Sequence, residues 1–291
     1  MDKLQLTARR RRPLPLFAVL MAFAVTSARA QTSDYGQPAP DTTQHARLFT
    51  RADALILGGF IAGAAAISPF DRQTANEIRE PDAQSSRVAS HTANVFNFLG
   101  SPGTLLAGVA LYGVGRIGHY ERIADLGLHG TEAIVVSAGV TYLIKGFAGR
   151  QRPRQAGVNN PDDFSFGGGF APGGGSSFPS GHATAAFALA TVVTMETHRS
   201  WPHSTWYVAP IAFGGATLVG FARLYTNAHW ASDVIMGAGV GTLTALKVVR
   251  FNHVSNANNR VNRWLLAAIP APAPALNGRG AMLVWSFALP R

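Results

Sequence analysis

The chain has 291 residues and a formal charge of +10, from 25 Lys and Arg against 15 Asp and Glu. Half of that excess lies in residues 1–30, where Lys3, Arg9 to Arg12 and Arg29 oppose Asp2 alone, so the basicity does not mark a nucleic-acid surface. Only 14% of residues are charged and 47% are apolar, which excludes disorder for most of the chain, and the absence of Cys excludes disulfides, a thiolate nucleophile and Cys-ligated metal.

The first thirty residues read as an export signal. The arginine run precedes an apolar stretch from Leu14 to Val25, and Ala28-Arg29-Ala30 follows as an A-x-A cleavage site. The apolar stretch is short for a full span, which needs ~20 residues. The expected organisation is a signal peptide over 1–30, a flexible mature N-terminus over 31–50, a helical domain over 51–255 and a tail over 256–291. The expected location is the periplasm or the periplasmic face of the inner membrane.

Apolar, Ala/Gly-rich segments then run over about 53–70, 102–118, 127–147, 183–196, 206–222 and 233–250. They are too long for strands and lack period-2 alternation, so the fold class is all-α, a bundle of about six core helices. Residues 148–181 break the pattern with Gly167-Gly168-Gly169 and Gly173-Gly174-Gly175 and form a long loop, a feature that in compact domains is usually functional. Pro270 to Gly280 reads as a turn or linker. Ala281 to Phe287 reads as a short strand, with Arg263 to Leu266 as its partner, giving a β-like tail.

Hydropathy leaves the membrane question open. The uncharged windows Ala54 to Phe70, Ala133 to Ile144 and Val234 to Leu246 have 17, 12 and 13 residues. A soluble bundle and an embedded one both accommodate them. Parity adds a constraint. If the signal is cleaved, three spans before residue 148 place the glycine-rich loop on the cytoplasmic side, so an exported site requires a soluble protein, a non-spanning first helix or an uncleaved signal.

Three clusters carry chemistry. Lys145, Arg150, Arg152 and Arg154 stand beside the glycine-rich loop and suit oxyanion contacts, although basic helix ends are also common against the C-terminal dipole. Phe178-Pro179-Ser180-Gly181-His182 leads into a helix whose first-turn amides are free for an oxyanion, with Ser180 as its cap. Arg223, His229 and Asp233 follow. His229 and Asp233 are four apart, so on a helix the carboxylate can orient the imidazole, the arrangement that catalytic triads use. Such a pair is also found as a plain surface ion pair. No carboxylates or histidines have metal-ligand spacing, so no metal site is expected. His129 and Glu132 read as structural, as do the remaining histidines. Cations and amides without a metal suit phosphoryl transfer.

Lys145-x6-Arg152-Pro153, then Pro179-Ser180-Gly181-His182, then Arg223-x5-His229-x3-Asp233 resembles the three-part signature of the type 2 phosphatidic acid phosphatase superfamily. That superfamily includes lipid phosphatases, bacterial non-specific acid phosphatases and vanadium-dependent haloperoxidases. Ala222 departs from the pattern, which usually has Ser there. The resemblance implies that Lys145, Arg152 and Arg223 hold phosphate oxygens, with Ser180 and the Gly181 amide completing the cradle. It implies His229 as the nucleophile that becomes a phosphohistidine and Asp233 as the group that orients it. His182 would protonate the leaving oxygen and later activate water. Arg150 and Arg154, outside the pattern, read as widening a positive entrance. The implied enzyme is a phosphatase acting on a lipid phosphate or a small phosphate ester. It would need no cofactor and would be inhibited by vanadate. A vanadate-loaded haloperoxidase and a non-catalytic phosphate binder are the alternatives.

Overall fold

The computed structural model describes residues 49–155, 159–254, 269–274 and 281–286. The signal peptide, the polar segment Gln31 to Gln44 and Arg263 to Leu266 lie outside the described residues. The described chain is an all-α bundle with a small antiparallel hairpin.

The first helix, α1 (Arg51–Ile67), opens with a capping box: Thr50 Oγ1 accepts from the Asp53 amide and Asp53 accepts from the Thr50 amide. A 3-10 turn carries it into α2 (Asp71–Arg79), followed by α3 (Pro81–Gln84) and α4 (Arg87–Phe98). The apolar-run reading placed no helix over 71–98. These helices are short and largely polar, so no long hydrophobic run announced them. The chain then bends at Ser101, whose extended backbone breaks the helix before α5 (Thr104–Ile117).

Next comes α6 (Glu121–Ala148), stopped by Gly149 in the left-handed region at φ 56°. The long loop leads to α7 (Gly181–Ser200), and α8 (Thr205–Tyr225) and α9 (Ala231–Val254) complete the bundle. The centre is α7, which is buried along most of its length and packs Ala183, Phe187 and Ala190 against Phe213 and Val219 of α8 and Val234, Ile235 and Ala238 of α9. Small residues set these distances. A Cβ on Gly241 would lie 2.2 Å from the Thr184 carbonyl oxygen, so α9 approaches α7 backbone to backbone.

Side-chain contacts fix which way each helix runs. Asp53 at the start of α1 pairs with Lys247 and Arg250 near the end of α9, whereas Asp71 just past its end meets Ser232 at the start of α9. His129 of α6 meets Glu196 of α7 at one end, and Lys145 lies beside Gly181 at the other. The chain therefore runs along the bundle through α1, α5 and α6 before the glycine-rich loop. Residue 50 and that loop lie at opposite ends.

Among the described residues, five segments are long and apolar enough to cross a membrane: Arg51–Arg79, Arg87–Ile117, Glu121–Ala148, Pro202–Tyr225 and Ala231–His253. Of these, Arg87–Ile117 is interrupted at Ser101. Large apolar side chains point outward along the helices, including Leu55, Ile61, Val109, Val114, Val135, Leu143, Trp206 and Ile211. A water-soluble bundle does not leave helix faces uncovered on this scale. The chain is a membrane protein, and the soluble alternative is set aside.

In the tail, β1 (Ile269–Pro274) pairs antiparallel with β2 (Ala281–Ser286), with Ile269 opposite Ser286. The strand expected from residue 281 is present, but its partner is the proline-rich segment read as a linker. Prolines at alternate positions 270, 272 and 274 leave Ile269, Ala271 and Ala273 as the donors, which is compatible with a strand paired on one edge.

Candidate active site

The three sequence clusters meet at one end of the bundle, around Ser176 and Ser177. Lys145, in the last turn of α6, donates from Nζ to the Ser176 carbonyl at 2.5 Å and the Ser177 carbonyl at 3.3 Å. Arg152 Nη2 reaches the Ser176 carbonyl and hydroxyl at 3.3 and 3.2 Å. His229 Nδ1 donates to the Ser177 carbonyl at 2.8 Å, and the Ser180 amide donates to the Asp233 carbonyl at 2.9 Å. Gly181 lies beside Lys145, and Arg223, Arg152 and Lys145 all act electrostatically on His182, so Lys145, Arg152, Ser180, Gly181, His182, Arg223, His229 and Asp233 are gathered in one place.

The local reasons are plain. Gly149 ends α6 just after Lys145, so the chain turns and brings Arg152 back over the same end. The Arg79 guanidinium of α2 donates to the Pro153 carbonyl and pins that return. At the head of α9, Asp233 occupies the third helical position and accepts from the Trp230 amide at 2.9 Å, one half of a capping box.

Two buried polar atoms lack partners in this cluster: the Ser180 hydroxyl and Arg223 Nε. Ser180 holds the N-cap position of α7, yet its side chain makes no capping bond, contrary to the expectation. A buried hydroxyl and a buried guanidinium N–H left unsatisfied are costly unless a ligand completes them. An oxyanion is the complement of both, and the free amides at the head of α7 face the same requirement.

The orientation of His229 differs from the sequence expectation. Asp233 Oδ2 is 3.6 Å from His229 Nδ1, beyond a hydrogen bond. The Ser177 carbonyl accepts the hydrogen bond from Nδ1 instead. A carbonyl can only accept, so Nδ1 carries the hydrogen and Nε2 keeps its lone pair. Asp233 acts one step back: its Oδ2 accepts from the Ser177 hydroxyl at 2.5 Å and so fixes the residue that fixes the imidazole.

Arg150 is the larger correction. It is not at an entrance but 2% exposed. Its Nη1 donates to Asp233 Oδ1 at 2.5 Å and to Ser232 Oγ at 2.8 Å, its Nη2 to Asp71 at 2.9 Å, and its Nε to the Pro161 carbonyl at 2.7 Å. The rings of Phe164 and Trp230 stand near its guanidinium, with centroids at 4.9 and 5.7 Å. A lysine could not make this fan of contacts. Arg150, Asp71 and Ser232 form the buried floor beneath Asp233.

Two further neighbours went unread in the sequence. Asn97, at the end of α4, accepts from Arg223 Nη1 at 2.8 Å. Gly100 leaves room for His182, because a Cβ there would sit 3.3 Å from the His182 side chain and 2.5 Å from Val219 Cγ1. Both depend on the bend around Ser101, and no local motif signals them.

The site is electropositive. Burial and the neighbouring Arg154 lower the Arg152 guanidinium below its ordinary value. Burial, then Arg223, Arg152 and Lys145, push His182 down to about 4. The field that disfavours a proton on His182 is the one that would favour an anion.

Residues 128–257 match the model of the PAP2 superfamily. A lipid A 1-phosphatase of Porphyromonas gingivalis is 40% identical over 89 residues, covering 30% of this chain and 19% of that protein, so the match spans about a fifth of the relative's length. The crystal structure of a transmembrane PAP2-type phosphatidylglycerolphosphate phosphatase from Bacillus subtilis aligns over 72% of this chain and 98% of its own, with TM-score 0.52 and 23% identity, a likeness of fold. The structure of Aquifex aeolicus LpxE aligns over 62% of this chain and 92% of its own, at TM-score 0.42 and 26% identity. All eight of the gathered side chains fall within residues 128–257, the part of the chain that is similar to the PAP2 superfamily.

Proposed function

We propose that the protein is a membrane phosphatase that hydrolyses a lipid phosphate monoester or diphosphate through a phosphohistidine on His229. The observation that carries this reading is the pair of unsatisfied buried donors, Ser180 Oγ and Arg223 Nε, among three cations. Lys145, Arg152, Arg223, the Ser180 hydroxyl and the Gly181 amide bind the three non-bridging oxygens. His229 Nε2 attacks phosphorus while the P–O bond to the lipid breaks, and His182, protonated in the complex, delivers its proton to the leaving oxygen. In the second step His182, now neutral, takes a proton from water. The hydroxide oxygen bonds to phosphorus, the P–N bond breaks and His229 regains its lone pair. Charge neutralisation by cations and amides does the work a metal would otherwise do. Asp233 is already engaged by Arg150, Ser177 and Trp230, and Asp71 beneath it by Arg150 and Ser232. No cofactor is required in this scheme.

A lipid substrate is favoured by the rim. Phe170 lies against Gly146, the residue after Lys145, where a Cβ would fall 2.1 Å from its ring. Phe147 pairs with Phe166 and Phe170 at centroid distances of 5.8 and 5.3 Å, and Phe166 is 89% exposed. Exposed aromatics beside an anion cradle suit the headgroup level of a bilayer. The site is assigned to the exported face. With α1 spanning, residue 50 then lies on the inner side, and that orientation goes with a signal that is not cleaved after Ala30.

The test is release of inorganic phosphate from lipid phosphates and from a soluble aryl phosphate by purified protein. His229→Ala should abolish release, chelator should leave it intact and vanadate should inhibit. Near-normal turnover by His229→Ala would sink the mechanism. A preference for the aryl phosphate would overturn the lipid assignment alone.

A further inference from the structure

The end of the bundle remote from the cradle holds a second polar cluster. His129 of α6, Glu196 of α7 and His253 of α9 converge there. Glu196 Oε1 lies 2.8 Å from His129 Nδ1 and 2.7 Å from His253 Nε2, and the three atoms are all within 4.8 Å of one another. The imidazole rings stand edge to face at 5.1 Å. His129 and Glu196 are buried, and the His253 side chain is 11% exposed. Along α9 the twenty residues from Asp233 to His253 span about 30 Å, and along α7 the fourteen from His182 to Glu196 about 21 Å. The reaction proposed above does not use this cluster.

We propose that His129 Nδ1, His253 Nε2 and Glu196 Oε1 form a binding site for a zinc-type divalent cation that ties α6, α7 and α9 together. Two imidazole nitrogens and one carboxylate oxygen are a set that zinc accepts, with a fourth position for water or a further carboxylate. Ligand atoms about 2.1 Å from a tetrahedral ion stand about 3.4 Å apart, so the present triangle needs only small side-chain rotations to open around one.

Charge points the same way. Asp125, one turn before His129 on the same face of α6, and Glu132 both act electrostatically on His129, as Glu196 does. Three carboxylates therefore bear on His129, and two of them, Asp125 and Glu196, also interact with His253, a concentration of negative charge that a dication offsets. His253 Nδ1 is buried without a hydrogen-bond partner, so hydrogen bonding alone does not satisfy the cluster. Glu132 accepts from Asn252 at 2.5 Å and stands as an outer support. No local spacing signals this cluster, because the three residues are 67 and 57 positions apart.

The test uses the full chain, free of any affinity tag, stripped of metal in detergent and titrated with Co²⁺ and Zn²⁺. One equivalent of Co²⁺ should bind with the intense visible absorption of tetrahedral coordination, and Zn²⁺ should displace it and raise the melting temperature. Glu196→Gln and His253→Gln, which keep side-chain volume, should each weaken uptake at least tenfold. Phosphate release should be unchanged by metal at temperatures below melting. No uptake at 100 µM metal, or uptake unchanged in both variants, would overturn the proposal. So would variants that lower the melting temperature equally with and without Zn²⁺, since that marks a hydrogen-bonded triad. Apart from phosphate release, none of these readouts depends on the phosphatase reading, so failure of the metal site and failure of that reading are distinguishable.

Discussion

Arg150 Nη1 donates to Asp233 Oδ1 at 2.5 Å, and neither side chain is open to solvent. The pair links the chain that leaves α6 to the head of α9, and Asp71 of α2 shares the same guanidinium. A buried ion pair is weak evidence for net stability, because desolvation offsets attraction. Its removal from one side is a different matter. Arg150→Met should leave Asp71 and Asp233 as two uncompensated carboxylates and cost about 3–5 kcal/mol. Arg150→Lys keeps a charge but not the fan of donors, so it should keep the fold and lose much of the turnover. Thermal melting and phosphate release measure the two effects separately. An Arg150→Met protein that melts as the parent does would show that the pair is not a support.

The relay through Ser177 separates two variants that a direct Asp–His contact would treat alike. Ser177→Ala removes the hydroxyl held by Asp233 but keeps the carbonyl that orients His229. Turnover should fall about tenfold. Asp233→Asn should fall by about 10³ or more, because it also removes the charge facing Arg150 and perturbs the head of α9. Equal losses in kcat for the two variants would contradict this order.

His182 gives a prediction with a definite sign. A ring at about 4 in the ligand-free protein is about 99% neutral at pH 6. A bound phosphate or vanadate offsets Lys145, Arg152 and Arg223, so the ring should take up a proton on binding. Between the free and bound values, anion affinity should weaken as pH rises. The fall in kcat/KM with rising pH should therefore begin at lower pH than the fall in kcat. Nitrogen-15 histidine spectra with and without vanadate check the state directly. Titration of the ligand-free ring near 6.5 would remove the basis for the argument.

The parts of this site that were legible in the sequence are those written in short spacings. Lys145 and Arg152, Ser180 through His182, and His229 with Asp233 each lie within a turn or a short loop, so residue type and interval carry the chemistry. Arg150 sits between two such residues and was misread, because exposure is not encoded in a basic run. Asp71, Asn97 and Gly100 reach the site only through the polar helices and the bend before α5. Their partners are 79 or more positions away, and no local periodicity links them. The same limit hid the pairing of Glu196 with two histidines. Hydropathy windows also undercounted the membrane character, because isolated charged residues shortened them while the outward faces stayed apolar.

Gly100 tests whether that bend matters for chemistry. A methyl group there would meet Val219 Cγ1 at 2.5 Å and His182 atoms at 3.3 Å. Gly100→Ala should push His182 from its place and reduce kcat by at least tenfold, with a stability loss of about 1–3 kcal/mol from overpacking. The second variant Gly100→Ala/Val219→Ala opens the space again and should recover most of the turnover. If the double variant recovers stability but not turnover, the placement of His182 does not depend on this contact.

Orientation can be read by labelling, since the chain contains no Cys. A single cysteine at Ser165, in the glycine-rich loop, and another at His119, between α5 and α6, lie at opposite ends of the bundle. With the site on the exported face, a membrane-impermeant maleimide added to cells with a permeabilised outer membrane should modify the cysteine at 165. The cysteine at 119 should react only after the inner membrane is opened. The reverse pattern would place the cradle inside, make cleavage after Ala30 compatible with the fold, and require a substrate reached from the cytoplasmic leaflet.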